Sequence, residues 1–271
     1  MIGLFNGQPA GEWLHSRGLH YGDGVFRTIL IWQGTPLDWA LHLQKLQEDC
    51  AALKLQMPDP VLLKSEASQL IGGDTAAVLK ILVIRRTVGR GYRPATDMTD
   101  RILLKLPAPI FPMQHWTTGI RAFKCSLTLS SQPIFAGVKH LNRLEQVMAS
   151  ASWPEGMDEG ILCDQQGHVI CGTRTNLSWV KDGVLYTPRL DQCGVSGVMR
   201  KRILAAANTI RLRTNIVSAD WPTLIAADEI FVSNALIGVW PVRQIDEKTW
   251  KAPGPVTLSL QNCLGHPKLT Q

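Results

Sequence analysis

The chain is 271 residues long, and 28 Lys and Arg against 22 Asp and Glu leave a formal charge of +6. With 45% of its residues hydrophobic and 18% charged, it lies outside the composition of disordered chains, and it is long enough for one large or two modest domains that bury a core without staples. The densest cationic groups, Arg85-Arg86 and Arg200-Lys201-Arg202, stand beside apolar runs instead of forming a basic tail, so anionic small molecules are expected as partners and nucleic acid is not.

Taken in chain order, residues 24–39 (GVFRTILIWQGTPLDW) read as a strand, a Gln33-Gly34 turn and a short return. Residues 40–55 carry apolar side chains at 43, 46, 50, 51 and 53, the stripe of an amphipathic helix. Residues 78–86 and 101–109 read as buried strands around a Gly-rich excursion, and an excursion of that length suggests a function. Pro107, Pro109 and Pro112 suit neither helix nor central strand, which predicts a linker and a boundary between an α/β domain over 1–110 and a second domain over 111–271. Beyond it, 140–153 repeats the helical stripe with Leu141, Leu144, Val147 and Met148. Two hairpins follow at 161–172 and 176–188, the second turning at Asp182-Gly183, and then a helix over 196–210. The fold class is mixed α/β, with hairpins and helices interleaved.

The six cysteines contain no C-x-x-C, so neither a metal site nor a redox dithiol is expected. The first residues lack a basic start followed by a long apolar run, and no window approaches the ~20 apolar residues of a spanning helix. A cytoplasmic protein with no membrane partner is the expectation.

Lys139 precedes the predicted helix at 140–153 by one residue and follows Gly137 and Val138. A lysine partly buried in such a place loses proton affinity and becomes a nucleophile, although an ordinary solvated lysine suits the local sequence too. The wider pattern is more specific. RGLHYGDGVFRTI (17–29), LHLQKL (41–46), GRGY (89–92), GVKHLNRLEQV (137–147), GTRTNLSWV (172–180), YTPRLDQCGVSGVMR (186–200) and DEIFVSNALIGVWPV (228–242) follow one another in order. In these segments the chain resembles the fold-type IV pyridoxal-phosphate enzymes, a family that includes branched-chain and D-amino-acid aminotransferases and aminodeoxychorismate lyase. GVKHLNRLEQ and YTPRLDQCGVSG resemble the lyase branch.

The resemblance implies a two-domain fold with pyridoxal 5'-phosphate in the interdomain cleft, Lys139 as the Schiff-base residue, and a homodimer. It places the phosphate against Val195, Ser196 and Gly197, ahead of a helix whose amides and dipole favour an anion, with Ser233, Asn234 and Ala235 as a second arm. The residues alone also permit a helix capped by Ser196 and a plain strand-to-loop transition at 233–235. Two positions depart from the family. The arginine that meets the phosphate is replaced by Lys45, and the glutamate five residues before Asn176 that meets the pyridine nitrogen is replaced by Cys171.

A neutral thiol does not hold a pyridinium as a carboxylate does, which weighs against transamination more than against elimination to an aromatic product. The implied activity is the conversion of 4-amino-4-deoxychorismate to 4-aminobenzoate and pyruvate, towards folate. An aminotransferase, or a descendant that binds the cofactor weakly or not at all, is the alternative. For a dicarboxylate substrate, Arg27 and Arg93 are the candidate guanidinium ligands, with Thr28 and Tyr92 as hydrogen-bonding candidates.

Overall fold

The computed structural model describes residues 4–5, 8–9, 11–73 and 75–270. The chain forms two compact units. The first runs to Pro107 and takes in Val138–Arg143, while the second comprises Ala108–Gly137 and the chain from Leu144 onward. The segment holding Lys139 thus packs with the first unit, although it lies beyond the boundary expected at 110.

The first unit contains the two-residue strands β1 (Leu4–Phe5) and β2 (Gln8–Pro9), then α1 (Arg17–Tyr21), β3 (Gly24–Trp32), β4 (Thr35–Pro36), α2 (Trp39–Ala52), α3 (Pro60–Ile71), β5 (Ala76–Arg85) and β6 (Thr99–Pro107). An antiparallel sheet in the order β4-β3-β5-β6 is covered on one face by the helices. Strand alternation sends Val25, Ile29 and Ile31 of β3 towards that face, where they pack with Leu46 and Cys50 of α2 and Leu63 and Ala67 of α3. Asp59 caps α3 by accepting from the Val61 amide at 2.8 Å, and Pro60 supplies a preset first helical residue. The buried stripe of α2 is His42, Leu46, Asp49 and Cys50. It differs from the expected stripe because Ala51 is exposed and two polar residues face inward.

Short β4 pairs only with Ile31 and Trp32, so the other end of that β3 edge is open to another segment. Residues 139–141 fill it. The Phe26 amide donates to the Lys139 carbonyl at 3.0 Å, the Leu141 amide donates to Gly24 at 2.9 Å, and Val25 bridges His140. Extended backbone there leaves no room for a helix from 140.

The second unit contains α4 (Gln114–Thr117), β7 (Ile120–Leu129), α5 (Leu144–Ala151), β8 (Glu159–Asp164), β9 (Val169–Gly172), β10 (Asn176–Lys181), β11 (Val184–Pro188), α6 (Val198–Thr209), β12 (Thr214–Val217), α7 (Trp221–Ile225), β13 (Glu229–Asn234), β14 (Gly238–Ile245), β15 (Lys248–Thr249) and α8 (Pro255–Leu264). Helix α5 begins four residues later than expected. Its Leu144, Val147 and Met148 are 70%, 58% and 54% exposed, so the stripe expected in the core faces outward and Ala149 makes the buried contact.

The large sheet runs β12-β11-β10-β13-β14-β7-β8-β9, with β15 on β14, and a bridge between Cys171 and Asn176 joins β9 back to β10. Both expected hairpins form. Asp182 and Gly183 have φ of 49° and 69°, the paired positive values of a two-residue turn that matches strand twist. Trp179, Phe231 and Trp240 are buried in this unit's core.

Candidate functional site

Alternation along the extended 138–141 segment sets the direction of the lysine. Val138 enters the helix-facing core, and the Lys139 amine lies over the Phe26 ring, 4.2 Å from its centroid. The Lys80 amine lies over the same ring at 5.4 Å. Burial pushes the Lys139 pKa from 10.5 down to about 7, helped by the positive charges of Arg27, Arg143 and Lys80 and opposed by Asp49. The amine is therefore part neutral near pH 7, as a nucleophile or proton acceptor requires.

Behind the lysine is a buried polar cluster. Asp49, 0% exposed, contacts the Arg27 guanidinium and the Lys45 ammonium, and its Oδ2 accepts from the Lys139 amide at 3.2 Å. The guanidinium expected to meet a substrate carboxylate instead meets Asp49, on the helix-facing side of β3, and its Nε is buried without a hydrogen-bond partner. His42, on the same helix face, is pushed down to about 3 by burial and by Arg27 and Lys139, so it is neutral here. His140 Nε2 accepts from the Arg143 guanidinium, and its pKa is lowered to about 4, chiefly by burial.

Thr28 stands opposite Lys80 in the sheet. Tyr92 is 87% exposed with its ring against Tyr21, and Arg93 is exposed too. Their excursion is held by Arg17, whose Nη1 and Nη2 donate to the Gly91 and Tyr92 carbonyls at 2.8 and 3.1 Å while its Nε pairs with Asp23.

In the second unit, the expected anion cradle opens α6. Its N-cap is Gly197, without any side-chain cap, so Ser196 does not fill the capping role that the sequence alone permitted. The Ser196 amide donates to Gly137, and Asn176 Nδ2 donates to the Val195 carbonyl at 2.7 Å, fixing the approach to the helix. A Cβ at Gly197 would come 2.2 Å from Asn176 Oδ1, so any larger residue here would have to displace that side chain or the helix start. Ser233 is buried opposite Asn176 in the sheet. Asn234 uses its Oδ1 to accept the Leu236 and Ile237 amides at 2.9 and 3.0 Å, closing a local turn before the sheet resumes.

Cys171 is buried among Phe123, Leu162 and Ile170. Nearby, Glu159 accepts from the Thr173 amide and hydroxyl at 2.9 and 2.6 Å and from the Thr175 hydroxyl at 2.9 Å, which fixes the turn leading into Asn176. Burial raises the Glu159 pKa.

Pyridoxal phosphate suits much of this chemistry. An amine near neutrality suits its aldehyde, and an uncapped twelve-residue helix entered through a glycine packed against Asn176 suits its phosphate. Cys171 is the exception, since it offers the pyridine nitrogen no carboxylate. Asp49, His42, Lys80 and Glu159 escaped the sequence reading. The signal for the first was available in Lys45 and Asp49, four residues apart on one helix face.

Comparison with known proteins gives a consistent result. Residues 24–245 match the family described as Amino-transferase class IV. The chain is 32% identical over 248 residues to the aminodeoxychorismate lyase of Vibrio harveyi, covering 90% of each protein. Its structure is similar to the crystal structure of 4-amino-4-deoxychorismate lyase from Pseudomonas aeruginosa, with a TM-score of 0.88 and 40% identity over 96% of both chains. It is also similar to the branched-chain amino acid aminotransferase of Escherichia coli, with a TM-score of 0.84 and 26% identity over 98% of this chain and 94% of that one.

Proposed function

Because the chain belongs to the class IV aminotransferase family, whose fold-type IV members depend on pyridoxal phosphate, we propose that it is a 4-amino-4-deoxychorismate lyase releasing 4-aminobenzoate and pyruvate. The observation that carries this reading is Lys139, an amine with a pKa lowered to about 7 on one of the two segments that resemble the lyase branch. The cofactor, when bound, supplies a sink for the electrons left as the C4–H bond of the substrate breaks.

In this reading Lys139 Nζ would hold the cofactor, and it would accept the C4 proton of the substrate and return a proton to the departing enolpyruvyl carbon. Elimination breaks the C–O bond and aromatises the ring, so the reaction demands less of the sink than transamination does. That suits a chain with a buried thiol where the family has a carboxylate. The first-turn amides of α6, with Val195, Ser196 and Gly197, would hold the phosphate, and Ser233 and Ala235 would complete that arm. Lys45 adds positive charge to the first unit beside Arg27 and Lys139. Arg93, Thr28 and Tyr92 remain the substrate-binding candidates. A cytoplasmic homodimer supplying 4-aminobenzoate for folate synthesis completes the reading.

The test is spectroscopic and chemical. Protein supplied with pyridoxal phosphate should gain a visible absorption band that Lys139→Ala abolishes, and it should release pyruvate from aminodeoxychorismate. A protein that stays colourless at saturating cofactor sinks the reading. Amino-group exchange between amino and keto acids without pyruvate release would replace it with an aminotransferase.

A further inference from the structure

Asp49 is a fully buried carboxylate that binds three groups from three segments. They are the Arg27 guanidinium of β3, the Lys45 ammonium on its own helix, and the backbone amide of Lys139. A carboxylate persists in such a place only when it is paired and hydrogen-bonded, and this one has both kinds of partner.

The charges around the Lys139 amine are one-sided. The positive charges of Arg27 on β3, Lys80 on β5 and Arg143 on its own segment each disfavour the ammonium form. His42 from α2 and His140 from the lysine's own segment are neutral at pH 7. Asp49 from α2 favours the ammonium form and, among the described residues, is the one charged neighbour acting in that direction.

We propose that Asp49 is a positioning residue for Lys139, holding the lysine's backbone through its amide and supplying the anion that offsets the cations gathered around its amine. The inference deepens the proposed function, since it rests on Lys139 as the reacting amine. Loss of the carboxylate would leave the amine more neutral, yet also less able to carry the proton that it must return. Replacement by asparagine separates the two contributions, because an amide oxygen still accepts from the Lys139 amide while the charge is gone.

The experiment measures amine reactivity without cofactor. Formaldehyde with cyanoborohydride dimethylates neutral amines, and mass spectrometry of the Lys139 peptide from about pH 5 to pH 10 gives a midpoint for this lysine alone. Asp49→Asn should lower that midpoint by about one unit, and Arg27→Leu should raise it by about one unit. Loosening of the site by either substitution would admit water and raise both midpoints towards 10.5, so opposite signs distinguish charge from damage.

A midpoint in Asp49→Asn that is unchanged or raised overturns the proposal. If Asp49→Asn shows no cooperative thermal transition, the double variant Arg27→Leu/Asp49→Asn, which removes both buried charges, replaces it. Its midpoint should then lie below that of Arg27→Leu, and equality of the two overturns the proposal. No pyridoxal phosphate enters the measurement, so a wild-type protein that fails to bind cofactor would sink the lyase reading and leave this outcome standing.

Discussion

His42 shows how the cluster behind Lys139 bears on stability. Its pKa falls from 6.5 in the unfolded chain to about 3 in the folded one, chiefly through burial. Between those values the unfolded chain binds a proton that the folded chain does not, so its contribution is complete above pH 6.5 and is lost as pH falls towards 3. Each pH unit in that window is worth at most about 1.4 kcal/mol for this residue. The urea midpoint of the wild type should therefore drop between pH 7 and pH 5, and His42→Leu should flatten the drop. Parallel pH profiles for the two proteins would show that other groups control acid sensitivity. At this scale the sequence was uneven in what it disclosed. Lys139 stood inside a recognisable segment, whereas of the three partners of Asp49 only Lys45 lies within helical reach. Arg27 and the Lys139 amide are 22 and 90 residues away, beyond the reach of any helical pattern.

At the scale of elements, strands and hairpins were legible because alternation and turn residues act locally. Helix α6 was legible for the same reason, since GVSG precedes a regular apolar stripe. Helix α5 was only half legible. Its first expected turn was taken by the open edge of β3, a partner more than 100 residues earlier in the chain, and tertiary pairing overrode local propensity. The entry to α6 gives the sharpest test of the anion cradle. In Gly197→Ala the new Cβ meets Asn176 Oδ1 at 2.2 Å, so either the helix start or Asn176 must shift. Affinity for pyridoxal phosphate should fall at least about tenfold by equilibrium dialysis, a loss of roughly 1.4 kcal/mol, while the thermal midpoint changes little. Unaltered affinity would remove this helix from the phosphate site.

At the scale of the whole molecule, the modest +6 conceals a local concentration. In the first unit Arg27, Lys80 and Arg143 act on the Lys139 amine while Arg27 and Lys45 pair with Asp49, a cationic cluster that suits a phosphate-bearing cofactor and a dicarboxylate substrate. Composition could not reveal this, because net charge carries no position. The route of the chain could not be read either, since the predicted linker at 107–114 marks one crossing and gives no sign of the return at 138–143. A polypeptide ending at Pro107 should leave the Gly24–Phe26 edge of β3 unpaired and self-associate on size exclusion. Fusing 138–143 back onto it should restore a monodisperse species, and a monodisperse shorter fragment would show that the edge needs no partner.

The same route sets a timetable for synthesis. A ribosome delivers residues in order, so the first unit waits for 30 residues, 108–137, that belong to its neighbour before its own sheet edge is closed. Folding of the early half is thus tied to translation of the late half, and Lys139 arrives on the extended segment that closes the sheet edge.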